Sequence, residues 1–165
     1  MAAACFHITV HAVGKAMLFT AVGGLSAVSG GKKDYDSLLG AARRDPFSGL
    51  VFIIGGLSMI GIPPFSGFAS KFYLATAALE TSYSLLVISI AVVVGTFLSI
   101  MYYFPVIYSL LSKSGETTRE IVHSDRSLLL PYRISLVGFL ALNLFLGLFS
   151  QPVILVIERG LAVLG

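Results

Sequence analysis

The sequence contains little charge and almost no cysteine. Only 12% of the 165 residues are charged and 56% are hydrophobic, which argues against a water-soluble globular domain. Cys5 is the single cysteine, and this excludes an intrachain disulfide, a cysteine-based zinc site and iron–sulfur ligation. A glycine-rich phosphate loop and a nucleophile–base pair are also missing. We therefore expect no redox cofactor and no catalytic centre in this chain.

Long uncharged stretches dominate the sequence instead. A bilayer core of about 30 Å needs about 20 apolar residues per helix, so the chain has room for about four crossings. We predict an all-α, polytopic transmembrane bundle in which residues 1–165 form one domain. Pro105 is expected to kink or fray the third crossing, and Pro152 is a candidate break in the fourth. The predicted crossings cover about residues 3–29, 47–79, 83–111 and 131–157.

The second crossing is predicted to be discontinuous. Its centre reads Gly61-Ile62-Pro63-Pro64-Phe65-Ser66-Gly67, where two prolines remove backbone donors and the glycines permit unusual dihedral angles. We expect half-helices over about 47–60 and 68–79. An ordinary turn between two crossings is disfavoured because each half is too short to span. The irregular backbone must then be buried in protein or face a watery cavity. The residues that define this helix break are Gly61, Pro63, Pro64 and Gly67.

Basic residues concentrate in two predicted loops, residues 32–45 and 112–133. Cytoplasmic loops carry the excess of Lys and Arg, so we expect both loops in the cytoplasm and the C-terminus outside the cell membrane. This topology accounts for the net charge of +3, and nucleic acid is not an expected partner. Residues 37–44 are compatible with a short interfacial helix that ends before Pro46. The basic residues of the two loops are Lys32, Lys33, Arg43, Arg44, Lys113, Arg119, Arg126 and Arg133.

Four ionisable residues are predicted to lie within the membrane: His7, His11, Lys15 and Lys71. The first three are spaced four apart, and because each step turns a helix by only about 40°, they share one stripe. A lysine at the bilayer centre costs about 2.5–3.5 kcal/mol, so it should face the bundle interior, a counter-ion or water. Lys71 follows the break by one turn, where we expect the positive N-terminal end of the second half-helix to act on it. Histidine and lysine suit a proton relay.

Other interpretations of these residues remain open. Lys15 can instead extend toward the interface or pair with a carboxylate, while the histidines hydrogen-bond between helices. A zinc site at His7 and His11 lacks a third ligand nearby. For the whole chain, the competing hypothesis is a structural membrane anchor without transport activity, and a quinone-reducing enzyme is the weakest alternative.

Two motifs resemble one known family. They are Phe6-His7-Ile8-Thr9-Val10-His11-Ala12-Val13-Gly14-Lys15-Ala16-Met17-Leu18-Phe19, and Gly61-Ile62-Pro63-Pro64-Phe65-Ser66-Gly67-Phe68-Ala69-Ser70-Lys71. Both are similar to the antiporter-like, proton-conducting subunits of respiratory complex I, Mrp-type cation/proton antiporters and membrane-bound hydrogenases. The resemblance covers residues 5–112. It implies two inverted five-helix repeats, each with a broken helix, joined by lysines, histidines and a glutamate along the membrane midplane.

The resemblance also implies roles and partners. By position, His7, His11 and Lys15 match the family's histidine–lysine relay, and Lys71 matches the lysine beside the second broken helix. The first repeat has no counterpart here, so we expect a C-terminal portion of a longer subunit or one half of a split subunit. The implied function is proton conduction by a non-catalytic membrane subunit, with sodium exchange or coupling to NADH:quinone electron transfer left open. The implied partners are lipid, the missing half and other membrane subunits of a respiratory or antiporter complex.

Overall fold

The fold is entirely helical in the part of the chain that the structure describes. The computed structural model describes residues 1–32, 34–79, 85–112 and 126–164. This confirms the predicted all-α polytopic bundle. The helices are α1 (Ala2–Ala27), α2 (Tyr35–Leu38), α3 (Ala41–Arg44), α4 (Pro46–Ile60), α5 (Ser66–Leu79), α6 (Leu85–Leu111), α7 (Arg126–Leu148) and α8 (Ser150–Leu164).

Among the described residues, three helices are long and apolar enough to cross a membrane, namely Ala2–Ala27, Val87–Leu111 and Leu130–Leu148. The apolar helix α4 has only 15 residues, or about 22 Å, and is too short to cross alone. It ends at Ile60, and α5 begins at Ser66, so the predicted interruption of the second crossing is confirmed. The chain is therefore a multi-pass membrane protein with one discontinuous helix.

Helix α1 lies at the centre of the bundle, where it contacts α4, α5, α7 and α8. Its middle packs into a core with α4, α6 and α7, and its N-terminal end packs into a second core with α5, α7 and α8. Small residues permit this closeness, because a side chain at Gly55 of α4 would press on Leu18 of α1. The first core includes Met17, Leu25, Val51, Leu110 and Leu136, and the second includes Phe6, Val10, Ala69, Leu146 and Ile154.

A buried polar contact ties three helices together near the first loop. The Tyr132 hydroxyl of α7 lies 2.7 Å from Ser48 Oγ of α4 and 3.2 Å from the Thr20 carbonyl oxygen of α1. Ser48 also hydrogen-bonds through its hydroxyl to the Asp45 carboxylate, which accepts the Ser48 N–H at 3.2 Å and so caps α4. These bonds fix how α4 enters the bundle.

The first loop differs from its prediction. We expected one short helix over residues 37–44, but the structure has two single-turn helices, α2 and α3, separated at Gly40 in the left-handed region (φ 67°). Pro46 is the first residue of α4 rather than only a terminator, because proline is well suited to the first helical position, where no N–H partner is needed.

The third crossing continues through its proline, and the fourth differs from its predicted bounds. Pro105 lies inside α6, which continues past it to Leu111. The fourth crossing begins earlier than expected, at Arg126, and stops at Leu148 rather than at Pro152. Proline cannot donate to the carbonyl four residues before it, so Pro152 ends the hydrogen-bonding ladder at Leu148. The remainder of the second predicted loop, residues 113–125, and the predicted turn at 80–83 lie outside the described residues.

Candidate functional site

The helix break forms a compact backbone unit. Gly61 ends α4 with φ 98°, a conformation that favours glycine, and its N–H donates to the Leu57 carbonyl at 3.0 Å. Gly67, near the start of α5, packs so closely on the last turn of α4 that a Cβ there would overlap the Ser58 carbonyl oxygen. A Cβ at Gly147 of α7 would overlap the Pro64 carbonyl oxygen in the same way. Two glycines therefore let α4, α5 and α7 meet at the break.

Lys71 reaches back from α5 to the end of α4. Its Nζ donates to the carbonyl oxygens of Met59 at 3.1 Å and Ile60 at 2.8 Å, and to Thr96 Oγ1 of α6 at 3.0 Å. These three acceptors use all three hydrogens of the ammonium group. The carbonyls of Met59 and Ile60 belong to the last turn of α4, so no N–H of a following helical turn is available to them. The negative end of the helix dipole lies at the same place.

This position corrects the expected electrostatics of Lys71. We expected its nearest helix terminus to be the positive N-terminal end of α5, but its ammonium contacts the negative C-terminal end of α4. The flexible side chain extends across the break because Gly61 leaves room, and a Cβ at Gly61 would lie 3.2 Å from Lys71 Cδ. The break thus positions a cation against backbone carbonyls.

His7 and His11 lie beside the same unit. His7 Nδ1 is 3.1 Å from Ser70 Oγ of α5, and the ring centroids of His7 and His11 are 6.2 Å apart. Both histidines and Lys71 line a half-open cavity of about 380 Å³ between α1, α4, α5 and α6. A water molecule takes up about 30 Å³ in the liquid, so the cavity has room for a chain of several waters. Three of the four predicted ionisable residues therefore share one cavity.

Lys15 lies apart from the other three. It lines a second cavity, of about 290 Å³, together with Phe52 of α4, Tyr103 of α6 and Tyr35 of the first loop. Along α1 it is one turn from His11, but it does not line the cavity of the histidines. Among the described residues, no group of three metal-ligating side chains is present, so the zinc alternative for His7 and His11 gains no third ligand.

Several polar residues at the break were not among the predicted site residues. Asn143 of α7 is fully buried, and its Nδ2 donates an interhelical hydrogen bond to Ser58 Oγ at 3.1 Å. Hydroxyl groups need partners in an apolar environment, and this requirement was the available signal for the others. They are Ser58, Ser66, Ser70 and Thr96.

The part of the chain that carries this site matches a known family. Residues 1–99 match the family described as NADH:quinone oxidoreductase/Mrp antiporter, TM. The chain belongs to this family. The match includes the histidines, both intramembrane lysines and the helix break, and it confirms the resemblance first noted on the two motifs.

Relatives of the chain include subunits of two kinds. It is 32% identical to a Na(+)/H(+) antiporter subunit of Alkalihalophilus pseudofirmus, over 93% of this chain and 30% of that protein. It is 33% identical to an NADH-quinone oxidoreductase subunit of Desulforudis audaxviator, over 92% of this chain and 31% of that protein. It is also 32% identical to NADH-ubiquinone oxidoreductase chain 5 of Hippopotamus amphibius, over 87% of this chain and 24% of that protein. The chain thus spans less than a third of the length of each.

Proposed function

We propose that the chain is a proton-conducting membrane subunit in which protons move between His7, His11, Lys15 and Lys71. The observation that carries this proposal is the shared cavity of His7, His11 and Lys71 beside the helix break. Membership of a family named for oxidoreductases and antiporters supports a role in membrane transport. Proton-exchanging side chains inside an apolar bundle are functional by default, because burying them is expensive.

Lys71 is proposed to hold a proton until another charge arrives. Its ammonium is matched to three acceptors, so the protonated state is well accommodated. A second positive charge on His7 would share the same cavity, and like charges in one cavity repel each other. Protonation of one group therefore favours proton release from the other. Such alternation moves protons in steps without a cofactor.

Lys15 is proposed to connect this cavity with the second one. Side chains four apart on a helix have Cβ atoms about 5–6 Å apart, so one ordered water is enough to bridge His11 and Lys15. The cavity of Lys15 extends to Tyr35 in the first loop, which we propose lies on the cytoplasmic side. Protons would then travel between the cytoplasm and the break through Lys15 and the histidines.

The partners are proposed from the same relationships. Two relatives are named as subunits, of a Na(+)/H(+) antiporter and of an NADH-quinone oxidoreductase. We propose that other membrane subunits of such a complex supply the driving force, either an exchanged sodium ion or electron transfer elsewhere in the complex. The competing function is a structural anchor that only holds neighbouring subunits. It predicts that the lysines can be replaced without loss of transport.

Proton flux into vesicles that contain the complete complex tests the proposal. We compare the native chain with Lys71→Ala and Lys15→Ala at equal levels of assembled complex, and use Lys32→Ala in the first loop as a matched control. We expect both intramembrane variants to lose most of the flux and the control to retain it. Full flux in Lys15→Ala and Lys71→Ala would support the anchor instead.

A further inference from the structure

A continuous chain of hydrogen bonds joins α7 to His7 through the helix break. Asn143 Nδ2 donates to Ser58 Oγ at 3.1 Å, and the Gly67 N–H donates to the same oxygen at 3.2 Å. The carbonyl of Gly67 accepts from Ser70 Oγ at 3.1 Å, and Ser70 Oγ lies 3.1 Å from His7 Nδ1. Ser58, Ser70 and Asn143 are buried, whereas His7 is only partly buried. The chain crosses α7, α4, α5 and α1.

The hydrogens available on each group determine which atom donates in this series of hydrogen bonds. A serine hydroxyl has one hydrogen, and Ser70 donates its hydrogen to the Gly67 carbonyl. Toward His7, the Ser70 oxygen can therefore only accept. With the Ser70 hydrogen on the Gly67 carbonyl, His7 donates from Nδ1, and its neutral ring then carries hydrogen on Nδ1 and a lone pair on Nε2.

Asn143 lies at the α7 end of this series of hydrogen bonds, and packing alone does not explain why an asparagine stands there. Its side chain is fully buried, and Oδ1 has no hydrogen-bond partner among the described residues. An unpaired buried amide oxygen destabilises a fold, so an apolar residue of similar size would serve a purely structural role better. Asn143 donates to Ser58 Oγ, and this bond fixes the position of the oxygen that also accepts the Gly67 N–H.

We propose that Ser70 and Asn143 are positioning residues that hold His7 in the Nδ1–H tautomer, so that Nε2 is the nitrogen that takes up and releases protons. Ser70 contacts the ring directly, and Asn143 acts through Ser58 and the Gly67 peptide groups. The consequence for transport rests on the proposed function, whereas the tautomer does not. The alternative outcome is that these hydrogen bonds only hold the helices together and do not set the tautomer of His7.

Nitrogen-15 NMR of the histidine rings tests this directly. The complete complex is labelled with ¹⁵N-histidine in lipid, and the His7 signals are assigned by their loss in His7→Gln. In the native protein at alkaline pH we expect a protonated Nδ1 and an unprotonated Nε2. In Ser70→Ala the ratio of Nδ1–H to Nε2–H should fall by about fivefold to tenfold, the factor for one neutral hydrogen bond. Ser70→Thr should restore the native ratio.

Two further variants separate positioning from packing. Asn143→Leu keeps the number and branching of the side-chain heavy atoms, at a larger volume, but removes the bond to Ser58, and we expect it to lower the same ratio. Ser99→Ala is the matched control, because Ser99 lines the same cavity but donates to Gly95 within its own helix, and it should leave the His7 signals unchanged. A native His7 that carries hydrogen on Nε2, or an unchanged ratio in Ser70→Ala, would overturn the inference.

The proposed tautomer and the proposed proton relay can each be rejected independently of the other. If the NMR signals follow the expected pattern but His7→Gln conducts protons normally, the positioning inference stands and the relay through His7 is wrong. If the Ser70→Ala complex instead shows an altered pH dependence of proton flux together with the altered tautomer, both are supported. Flux that depends on His7 while its tautomer ignores Ser70 would reject the positioning role alone.

Discussion

At the scale of single residues, the least expected finding is the direction in which Lys71 points. The sequence places a lysine one turn after a helix break, and this alone predicts an intramembrane cation. The choice between the two helix ends depends on Gly61, which leaves room for the side chain, and on Thr96 of α6, which supplies the third acceptor. Both contacts depend on the tertiary structure. Sequence spacing identified the residue but not its partners.

Arginine at this position tests whether Lys71 must release its proton. Lys71→Arg keeps a positive charge near the carbonyls of Met59 and Ile60, but a guanidinium does not deprotonate in proteins. We expect the complex to assemble and its proton flux to fall to the level of Lys71→Ala, as measured by a pH-sensitive dye in vesicles. Flux close to native in Lys71→Arg would mean that only the charge matters. Lys32→Arg in the first loop provides the control.

Asp34 offers a pH test outside the membrane-spanning segments. Its carboxylate accepts hydrogen bonds from the Ser37 hydroxyl at 2.8 Å and the Ser37 N–H at 3.2 Å, and these bonds hold the pKa of Asp34 below its usual 3.8. Because the folded pKa is depressed, the stabilisation of α2 is present above the unfolded pKa and is lost as pH falls through the folded pKa. We expect Ser37→Ala to raise the pKa of Asp34, measured by carboxyl ¹³C NMR titration. An unchanged pKa would contradict the assigned cause.

At the scale of elements, the approximate position of each crossing was easier to predict than the residues at which its helices begin and end. The predicted half-helices began at 47 and 68, and the structure begins them at Pro46 and Ser66. The end of the fourth crossing was missed because the effect of Pro152 is felt at Leu148, four residues earlier along the hydrogen-bonding ladder. Pro105 leaves the same kind of backbone bond unmade within α6, and that helix continues to Leu111, so a proline alone does not predict where a helix ends.

The contact between α7 and the helix break can be tested with one methyl group. In Gly147→Ala the new Cβ would collide with the backbone at Pro64, and backbone cannot move aside as a flexible side chain can. We expect a loss of about 1–3 kcal/mol in the free energy of unfolding, the usual range for overpacking, together with reduced proton flux. Unfolding in detergent, followed by circular dichroism, measures it.

Gly138→Ala is the matched control on the same helix. No atom lies within 4 Å of a Cβ at Gly138, and alanine is the better helix former by about 1 kcal/mol. We expect this variant to be as stable as the native protein or slightly more so. Equal destabilisation by the two substitutions would show that α7 is sensitive to alanine in general rather than at the break.

At the scale of the whole molecule, the orientation of the chain remains a prediction from the basic loops. Single cysteines in a Cys5→Ser background test it, with Asp36→Cys in the first loop and Gly160→Cys in α8 as reporters. We expect a membrane-impermeant thiol reagent to label residue 36 from the cytoplasmic side and residue 160 from the outside. Labelling of both from one side would mean that the interruption at Phe149 returns the chain to the side on which α7 begins.

The hydrogen bonds of Lys71 also make the helix break sensitive to its proton content. An ammonium supplies three hydrogens to the two α4 carbonyls and Thr96, whereas a neutral amine supplies only two. Each proton that leaves Lys71 therefore strands one acceptor, which must turn to water or to a neighbouring helix. Proton release from Lys71, a step of the proposed relay, would thereby alter the hydrogen bonds of the helix break. Time-resolved infrared spectra of the Met59 and Ile60 carbonyls, labelled with ¹³C, would follow this exchange as the membrane is energised.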